Sequence, residues 1–429
     1  MDLRCLIVAG VVGGVMSCCD GGVVGEWNRL LLDSVAATNT APPAASRMMA
    51  MVHCAQFEAV NSINRNYRCY DQYFPTSANT DADAAAAQAA RDTLVHLFPA
   101  RQAIFDARLA ADLGAIANGA AKSNGIALGQ ASAASMLAAR SSDNSSMSIV
   151  HNGGTAPGQW RPTPSGFQSA ALPHWRYVTP FVVNSAQQFM APPPPSLSSN
   201  EYATAFDEVR RLGSASSAER TPYQTDTAFL WRAGGNTVTP PGQWCQVAQQ
   251  LADTQGLNTE QSARLFALLG MAVADAGITA WETKNTYDFW RPITGIQLAG
   301  TDGNDLTVAD PSWQPLFNTP NHQSYTSGHS TFSSSAAALL AAFFGTDNLG
   351  FTVTGDGRSR PYTSFSAAAA DAGMSRIYGG IHWQFDNTAG LQSGGAIGSW
   401  VFDNAFQVPA PGVLGLLTAG LLAAGRRRR

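Results

Sequence analysis

Apolar residues between positions 27 and 64 recur at intervals of three and four, the spacing of a helix with one buried face. The same period continues along most of the chain, and alanine-rich runs strengthen it because alanine has the highest helix propensity. We predict further helices at residues 82–98, 102–118, 124–139, 202–212, 221–231, 241–254, 258–285, 330–344, 364–378 and 386–406. Alternation typical of a strand is confined to residues 351–354. The pattern predicts a mostly α protein made of packed helical bundles.

Residues 141–199 interrupt this periodicity. They are rich in glycine, proline and serine, and near their end stand four consecutive prolines at 192–195. A tetraproline run forms a stiff extended helix and cannot continue an α-helix. We interpret the segment as a spacer between an N-terminal helical half, residues 20–190, and a C-terminal helical half, residues 196–406.

The first 19 residues predict a secretory signal peptide, with an apolar stretch at 5–16 and cleavage near Ser17 or Cys19. Residues 15–18 also match a lipobox loosely, so lipidation at Cys18 stays an alternative.

A short apolar run, residues 413–425, follows a proline-glycine turn and precedes four arginines at the end of the sequence. It is shorter than the roughly 20 residues that span a bilayer. This order resembles the exosortase-type (PEP-CTERM) sorting tails of Gram-negative bacteria, with Ala410 in the place of the usual glutamate. The alternative is a plain membrane anchor with its basic end inside. On either interpretation the protein passes through the inner membrane, and the sorting-tail interpretation adds the membrane's sorting machinery as a partner of residues 408–429. We expect an exported protein that is periplasmic, cell-surface or extracellular, transiently anchored by this tail.

The formal net charge is −4, and it includes the four terminal arginines, so the body of the chain is acidic. An acidic body argues against nucleic acid as a partner. Outside the predicted signal segment the cysteines are Cys54, Cys69 and Cys245, and none has metal-ligand spacing. A zinc site is therefore not expected, and a Cys54–Cys69 disulfide stays open.

Lys284 and Arg291 are seven residues apart, and two helical turns return nearly to the same face. We expect both cations to point into one pocket, with Pro292 ending their helix. A solvated surface pair is the alternative, but the aromatic-rich neighbourhood of residues 281–290 favours a buried position.

Ser327, Gly328 and His329 stand in a turn that leads into an apolar helix. A helix N-terminus presents free N–H groups that bind anions, a glycine lets the backbone approach closely, and a hydroxyl donates to an oxygen. The alternative is ordinary capping of the helix.

Arg376 and His382 are separated by Gly379-Gly380, which should end a helix and let both side chains converge. His382 and Asp386 have the spacing at which a carboxylate accepts from one ring nitrogen and leaves the other as nucleophile or ligand. A purely structural pair is the alternative. Together the three stretches supply three fixed positive charges, a hydroxyl, two imidazoles and a carboxylate, which suits an oxyanion such as phosphate or vanadate.

These stretches, Lys-x6-Arg-Pro, Ser-Gly-His and Ser-Arg-x5-His-x3-Asp, resemble the motif set shared by vanadium-dependent haloperoxidases and type 2 phosphatidic acid phosphatases. Residues 158–162 and 220–224 resemble the secreted bacterial haloperoxidase-like branch, and the resemblance covers roughly residues 27–406. Thr326 stands where the motif commonly has proline.

The resemblance implies the packed helical bundles of the haloperoxidase and acid phosphatase type, and a role for each residue. His382 would bind the vanadium of a vanadate cofactor, or attack phosphorus in a phosphatase, with Asp386 orienting it. His329 would be the acid–base group. His322 lies where haloperoxidases place a residue that modulates halide preference, and a histidine there resembles the bromide-using type; the alternative is a surface loop histidine. The oxyanion would be held by Lys284, Arg291, Ser327, Gly328 and Arg376.

The resemblance therefore implies a vanadate-dependent haloperoxidase that oxidises halide, bromide above all, with hydrogen peroxide to hypohalous acid. A secreted acid phosphatase would hydrolyse a phosphoester through a phosphohistidine on the same residues without metal, and it stays the alternative. A third hypothesis is a surface or matrix protein that keeps the fold without activity. The sequence leaves the organic substrate and the oligomeric state open.

Overall fold

The computed structural model describes residues 22–408, so the predicted signal peptide and nearly all of the sorting tail lie outside the described residues. Within that range the chain forms thirteen α-helices, three short 3-10 helices and one antiparallel hairpin. The α-helices are α1 (Gly22–Ala37), α2 (Pro42–Asn64), α3 (Ala82–Leu97), α4 (Gln102–Ala115), α5 (Ala120–Ala139), α6 (Asn200–Leu212), α7 (Pro222–Leu230), α8 (Thr239–Thr254), α9 (Thr259–Tyr287), α10 (Pro292–Gln297), α11 (Gly328–Phe344), α12 (Phe365–Tyr378) and α13 (Gln384–Asn404). The hairpin strands are β1 (Phe351–Gly355) and β2 (Arg358–Tyr362), and the 3-10 helices are Pro99–Arg101, Pro173–Tyr177 and Ala299–Thr301.

The mostly helical fold class is confirmed, and local chemistry explains where several helices begin. The side chains of Ser199 and Ser364 accept hydrogen bonds from the backbone N–H groups of the first turns of α6 and α12. Thr221 and Asn258 each form a reciprocal capping box with the glutamine three residues later. These caps satisfy N–H groups that a helix start leaves without a partner.

The core is built around α9, which is buried along nearly its whole length. α2 crosses it so closely that a Cβ at Gly270 would lie 2.9 Å from the backbone of Ala50. The largest hydrophobic cluster takes residues from both sequence halves, so the two halves share one core. Among the described helices only α9 is long and apolar enough to cross a membrane, and 94% of its most apolar window is buried inside the protein.

A second close crossing joins α11 to α13. A Cβ at Gly394 would lie 2.1 Å from the carbonyl oxygen of Thr331, so this position has room for hydrogen only. The crossing continues at the helix starts, where the backbone N–H of Ser327 donates to the carbonyl of Asp386 at 3.0 Å. Two of the predicted site residues are thereby fixed to each other through the main chain.

The proline-rich segment at 141–199 is anchored to α9 by a buried carboxylate. Asp275 accepts hydrogen bonds from the backbone N–H groups of Phe181, Val182 and Val183 at 2.6, 2.8 and 3.0 Å. Burial raises the pKa of Asp275 to about 6, although these N–H donors oppose the change. The segment therefore packs on the core helix and forms part of the wall around the site.

The cysteines of the described range are free thiols, so no Cys54–Cys69 disulfide is formed in this structure. Cys54 and Cys245 are buried, and burial raises the pKa of both thiols.

Candidate active site

Lys284 and Arg291 do not share a helix face, which corrects the prediction from their spacing. α9 ends at Tyr287 because Asp288 adopts a left-handed conformation with φ of 47°. Arg291 is extended and Pro292 is the first residue of α10, so the proline begins a helix. The two cations nevertheless converge, because both bind the loop that precedes α11.

Lys284 lies in the last turn of α9 and is fully buried. Its ammonium donates to the backbone carbonyls of Gln323, Ser324 and Thr326 at 2.8, 3.0 and 2.5 Å. Burial, followed by the neighbouring Arg291 cation, lowers the pKa of Lys284 well below its ordinary value. All three ammonium protons are thus used to hold the loop.

Arg291 connects two loops through its guanidinium group. Its Nε donates to the carbonyl of His322 at 2.7 Å, and Nη1 donates to the carbonyl of Ile381 at 2.7 Å. The same Nη1 lies 3.0 Å from His382 Nε2, and Nη2 lies 2.9 Å from His322 Nδ1. An arginine only donates, so His382 Nε2 must carry the lone pair and Nδ1 the proton.

His382 donates that Nδ1 proton to Asp386 Oδ2 at 2.8 Å, as the four-residue spacing predicted. The same carboxylate oxygen accepts from Trp383 N at 3.1 Å and from the Ser324 hydroxyl. Burial raises the pKa of Asp386 to about 6. Burial, followed by the Arg291 and Lys284 cations, holds the pKa of His382 well below its usual range. The imidazole is therefore neutral and fixed in one tautomer.

Ser327 is the N-cap of α11, and its Oγ accepts from Ser330 N at 3.3 Å. The ordinary capping role is therefore present, and it leaves the hydroxyl proton of Ser327 able to donate elsewhere. A Cβ at Gly328 would come no nearer than 3.7 Å, to the Trp281 ring, so space remains beside this first residue of the helix.

Arg376 lies in the last turn of α12, which ends at Tyr378 before the two glycines as predicted. Its Nη1 donates to the carbonyl of Trp231 at 3.1 Å, while its buried Nε has no partner among the described residues. Burial, followed by Arg291, lowers the pKa of Arg376 to about 9. Arg376 therefore keeps more free donor capacity than Lys284 does.

His329 follows Gly328 on α11, and its Nε2 lies 3.3 Å from the carbonyl of Arg232. Because a carbonyl only accepts, Nε2 carries the proton and Nδ1 keeps the lone pair. Burial, followed by the Arg376 cation, lowers the pKa of His329 well below its ordinary value.

A cavity of about 690 Å³ opens beside these residues. Five of the nine predicted site residues line it, namely His322, Gly328, His329, Arg376 and His382. The other four are buried immediately behind the wall, namely Lys284, Arg291, Ser327 and Asp386. The structure thus brings all nine residues together: five face the cavity, and the four behind them hold these five in place.

Known proteins resemble this chain, both in the region that contains the site and over most of its length. A family model described as the VCPO second helical-bundle domain matches residues 264–410, which include all nine site residues. A crystal structure of a bacterial vanadium-dependent iodoperoxidase covers 91% of this chain and 98% of its own, with a TM-score of 0.80 and 25% identity. These matches support the vanadium-dependent haloperoxidase superfamily for this chain.

Within this superfamily, the vanadium chloroperoxidase of Curvularia inaequalis is 26% identical over 290 residues, 52% of this chain and 47% of that protein. The chain therefore spans less than half the length of that relative. The holo and apo structures of a bacterial vanadium-dependent chloroperoxidase are 16% and 15% identical, with TM-scores of 0.67 and 0.70. Each covers 85% of this chain, with 91% and 93% of the respective structures covered, and this likeness shows the fold alone.

Sequence reasoning missed several groups that complete the candidate site. Ser324 donates to Asp386, and the Trp281 ring lies against His322 with ring centroids 5.1 Å apart and planes tilted by 44°. The loop after α7 supplies the carbonyls that hold Arg376 and His329. That loop lies about 100 residues or more from its partners and carries no motif, so only the fold could reveal it.

Proposed function

We propose that the protein is a vanadate-dependent haloperoxidase that converts hydrogen peroxide, a halide ion and a proton to hypohalous acid and water. The observation that carries this proposal is the lone pair of His382 Nε2. Asp386 fixes the His382 imidazole in the tautomer that has this lone pair. His382 lies on the cavity wall beside the Arg291 and Arg376 cations. The likeness to the iodoperoxidase over nearly the whole chain supports it.

The residues fit a small tetrahedral oxyanion. Arg376 has a buried donor without a partner in the described range, and Gly328 has open space beside it. No carboxylate stands among the described residues that line the cavity. Burial lowers the pKa of Lys284, Arg291 and Arg376, and the Arg291 cation lowers those of Lys284 and Arg376 further, so a bound anion would favour the charged form of each.

When bound, vanadate would supply a Lewis-acidic centre at which hydrogen peroxide becomes an oxidant for halide. His382 Nε2 would hold that centre, and Asp386 would keep the Nδ1 proton in place. Arg376 and the N–H of Gly328 would bind the anionic oxygens, with Arg291 adding positive charge from behind the wall. His329 Nδ1, which has the free lone pair, would accept a proton from hydrogen peroxide.

For the halide we propose oxidation of bromide and iodide. His322 supports bromide through the resemblance described above, and it lines the cavity between Trp281 and Arg291. The iodoperoxidase likeness supports iodide. Iodide is the easier of the two to oxidise, so an enzyme that oxidises bromide is expected to oxidise iodide as well.

The test measures triiodide formation and bromination of monochlorodimedone by purified protein with peroxide, with and without added orthovanadate. Vanadate-dependent activity that is lost in His382→Ala is the expected result. Hydrolysis of p-nitrophenyl phosphate that vanadate inhibits, without halide oxidation, would replace this proposal with the phosphatase alternative. If the protein shows neither halide oxidation nor phosphate ester hydrolysis, the hypothesis of an inactive surface protein is favoured.

The proposed location is outside the inner membrane, in the periplasm, at the cell surface or in the medium. The apolar ends of the sequence support it. Fractionation of cells that express the full chain tests it, because a cytoplasmic, uncleaved protein would contradict export.

A further inference from the structure

The cavity is larger than the oxyanion site needs. Its volume of about 690 Å³ falls within the range of about 300–1,000 Å³ that is typical of sites for organic molecules. His382 and Arg376 are buried on its inner wall, whereas Asn39, Arg232 and Asn318 are exposed and line its mouth. A halide and a peroxide would leave most of this space unfilled.

The part of the cavity nearer the mouth has an aromatic wall. Phe229 and Phe317 pack edge to face with ring centroids 5.1 Å apart, and both line the cavity. Leu172, Pro42 and Leu316 extend the apolar surface. Such a wall binds a planar apolar group and discriminates little among small inorganic ions.

Arg232 supplies a positive charge that no motif of the oxyanion site includes. Its guanidinium lies 5.8 Å from the Phe229 ring and 5.9 Å from the Phe317 ring. Arg376 lies 5.7 Å from the Phe317 ring, so this ring has one guanidinium at the mouth and another at the oxyanion site. A molecule lying along Phe317 would therefore have one end at each cation.

The Arg232 guanidinium is only weakly engaged by the protein. Among the described residues it makes one hydrogen bond, to Asp356 at 3.2 Å, and the two side chains are 45% and 33% exposed. Exposed pairs of this kind contribute about 0–1 kcal/mol, so a ligand carboxylate can replace Asp356. No acidic side chain lines the cavity in the described range, and the charged side chains there are Arg232 and Arg376.

We propose that this outer part of the cavity binds an aryl carboxylate, with its carboxylate on Arg232 and its ring against Phe229 and Phe317. The bound ring is the halogen acceptor, and this second step rests on the proposed haloperoxidase function. Hypohalous acid transfers its halogen to a ring carbon: the O–X bond breaks, the C–X bond forms, and the displaced ring proton leaves with the hydroxide as water. Halogenation then occurs on a held substrate close to where the oxidant is formed.

The probe is 3-(4-hydroxyphenyl)propanoate, compared with its neutral methyl ester, in equilibrium dialysis against vanadate-free protein. We expect saturable binding of the acid and binding of the ester that is weaker by about tenfold, the size of one charge-assisted hydrogen bond. Arg232→Gln should weaken binding of the acid by about the same factor and leave ester binding unchanged. Asp356→Asn should strengthen acid binding about twofold, because it removes the competing carboxylate.

Arg358→Gln is the matched control. The Arg358 guanidinium also lies over the Phe229 ring, 4.4 Å from its centroid, but it is paired with Asp226 and does not line the cavity. Equal losses in Arg232→Gln and Arg358→Gln, or equal affinities for acid and ester, would overturn the proposal. Triiodide formation by the native protein tests the haloperoxidase function separately, so each of the two can fail without the other.

Discussion

Asp386→Asn tests whether the carboxylate charge behind His382 strengthens vanadate binding. Asp386 Oδ2 accepts three hydrogen bonds, from His382, Trp383 and Ser324, while Oδ1 is buried without a partner in the described range. An asparagine oxygen can replace Oδ2 and keep all three donors satisfied, with its amide group at the Oδ1 position. The substitution therefore removes the charge and keeps the tautomer of His382.

The size of the effect follows from the change of the His382 hydrogen bond from a charged acceptor to a neutral one. A bond to a charged acceptor contributes about 1.5–3 kcal/mol and a neutral one about 0.5–1.5 kcal/mol. The difference of roughly 1.4 kcal/mol corresponds to about tenfold weaker vanadate binding. Ser324→Ala is the control, because it removes a neutral donor from the same oxygen and keeps the charge, and we expect a change of about twofold.

The pH dependence provides a second, independent readout. Burial raises the pKa of Asp386 to about 6, so the native carboxyl becomes neutral as the pH falls below that value. The tenfold advantage of the native protein over Asp386→Asn should therefore be present above pH 6 and disappear below it. Protonation of vanadate itself affects both proteins equally and cancels in the ratio.

Equilibrium dialysis of dilute vanadate, with vanadium measured by elemental analysis, gives the two affinities at each pH. The reasoning is refuted if both proteins bind equally above pH 6, or if their ratio is the same on both sides of it. Loss of folding is detected separately from the thermal unfolding of each variant.

Three further predictions concern catalysis, stability and packing. His329→Gln should lower kcat for triiodide formation by about 10²–10⁴-fold with little change in vanadate affinity by dialysis, and parallel losses in both would contradict a proton-transfer role. Burial raises the pKa of Glu58 from 4.5 to about 7, and its Oε2 has no partner in the described range, so the folded state holds the proton more tightly than the unfolded chain. The contribution of Glu58 to stability in urea should fall by roughly 3 kcal/mol as the pH rises through that window, and Glu58→Gln should remove that part of the pH dependence. Gly394→Ala should destabilise the protein by about 1–3 kcal/mol, since its Cβ would meet a carbonyl at 2.1 Å, whereas Gly395→Ala, with no neighbour within 4 Å, should leave it unchanged or raise stability by up to about 1 kcal/mol.

Much of the helical fold could be predicted because the capping residues mark helix starts at the same places where the helical periodicity of apolar residues begins. The elements that were missed are short or mostly exposed. α10 has six residues and begins at Pro292, which sequence reasoning took for a helix end. β2 exposes Ser359 and Pro361 on alternate positions, so it lacks an apolar pattern. The turn at Asp356-Gly357, with both residues at positive φ, was the one available signal for the hairpin.

The side chains of the site could be predicted from the sequence, but the groups that orient these side chains could not. The His382–Asp386 pair follows from a four-residue spacing and local geometry. The error on Lys284 and Arg291 arose because spacing alone does not show that Asp288 ends the helix between them. The groups that orient the arginines and His329 are largely backbone carbonyls, which every residue has and which no sequence pattern marks.

The attachment of Lys284 to three main-chain carbonyls has a consequence for how this loop can diverge among related proteins. A carbonyl is the same whatever side chain stands beside it, so residues 323, 324 and 326 can be exchanged without loss of these bonds if the backbone path is kept. Thr326 is such a case, since a proline at that position would offer Lys284 the same oxygen. The backbone conformation of the loop can therefore be conserved while its amino acids change. Sequence alignments of this loop will then understate the structural similarity of the sites.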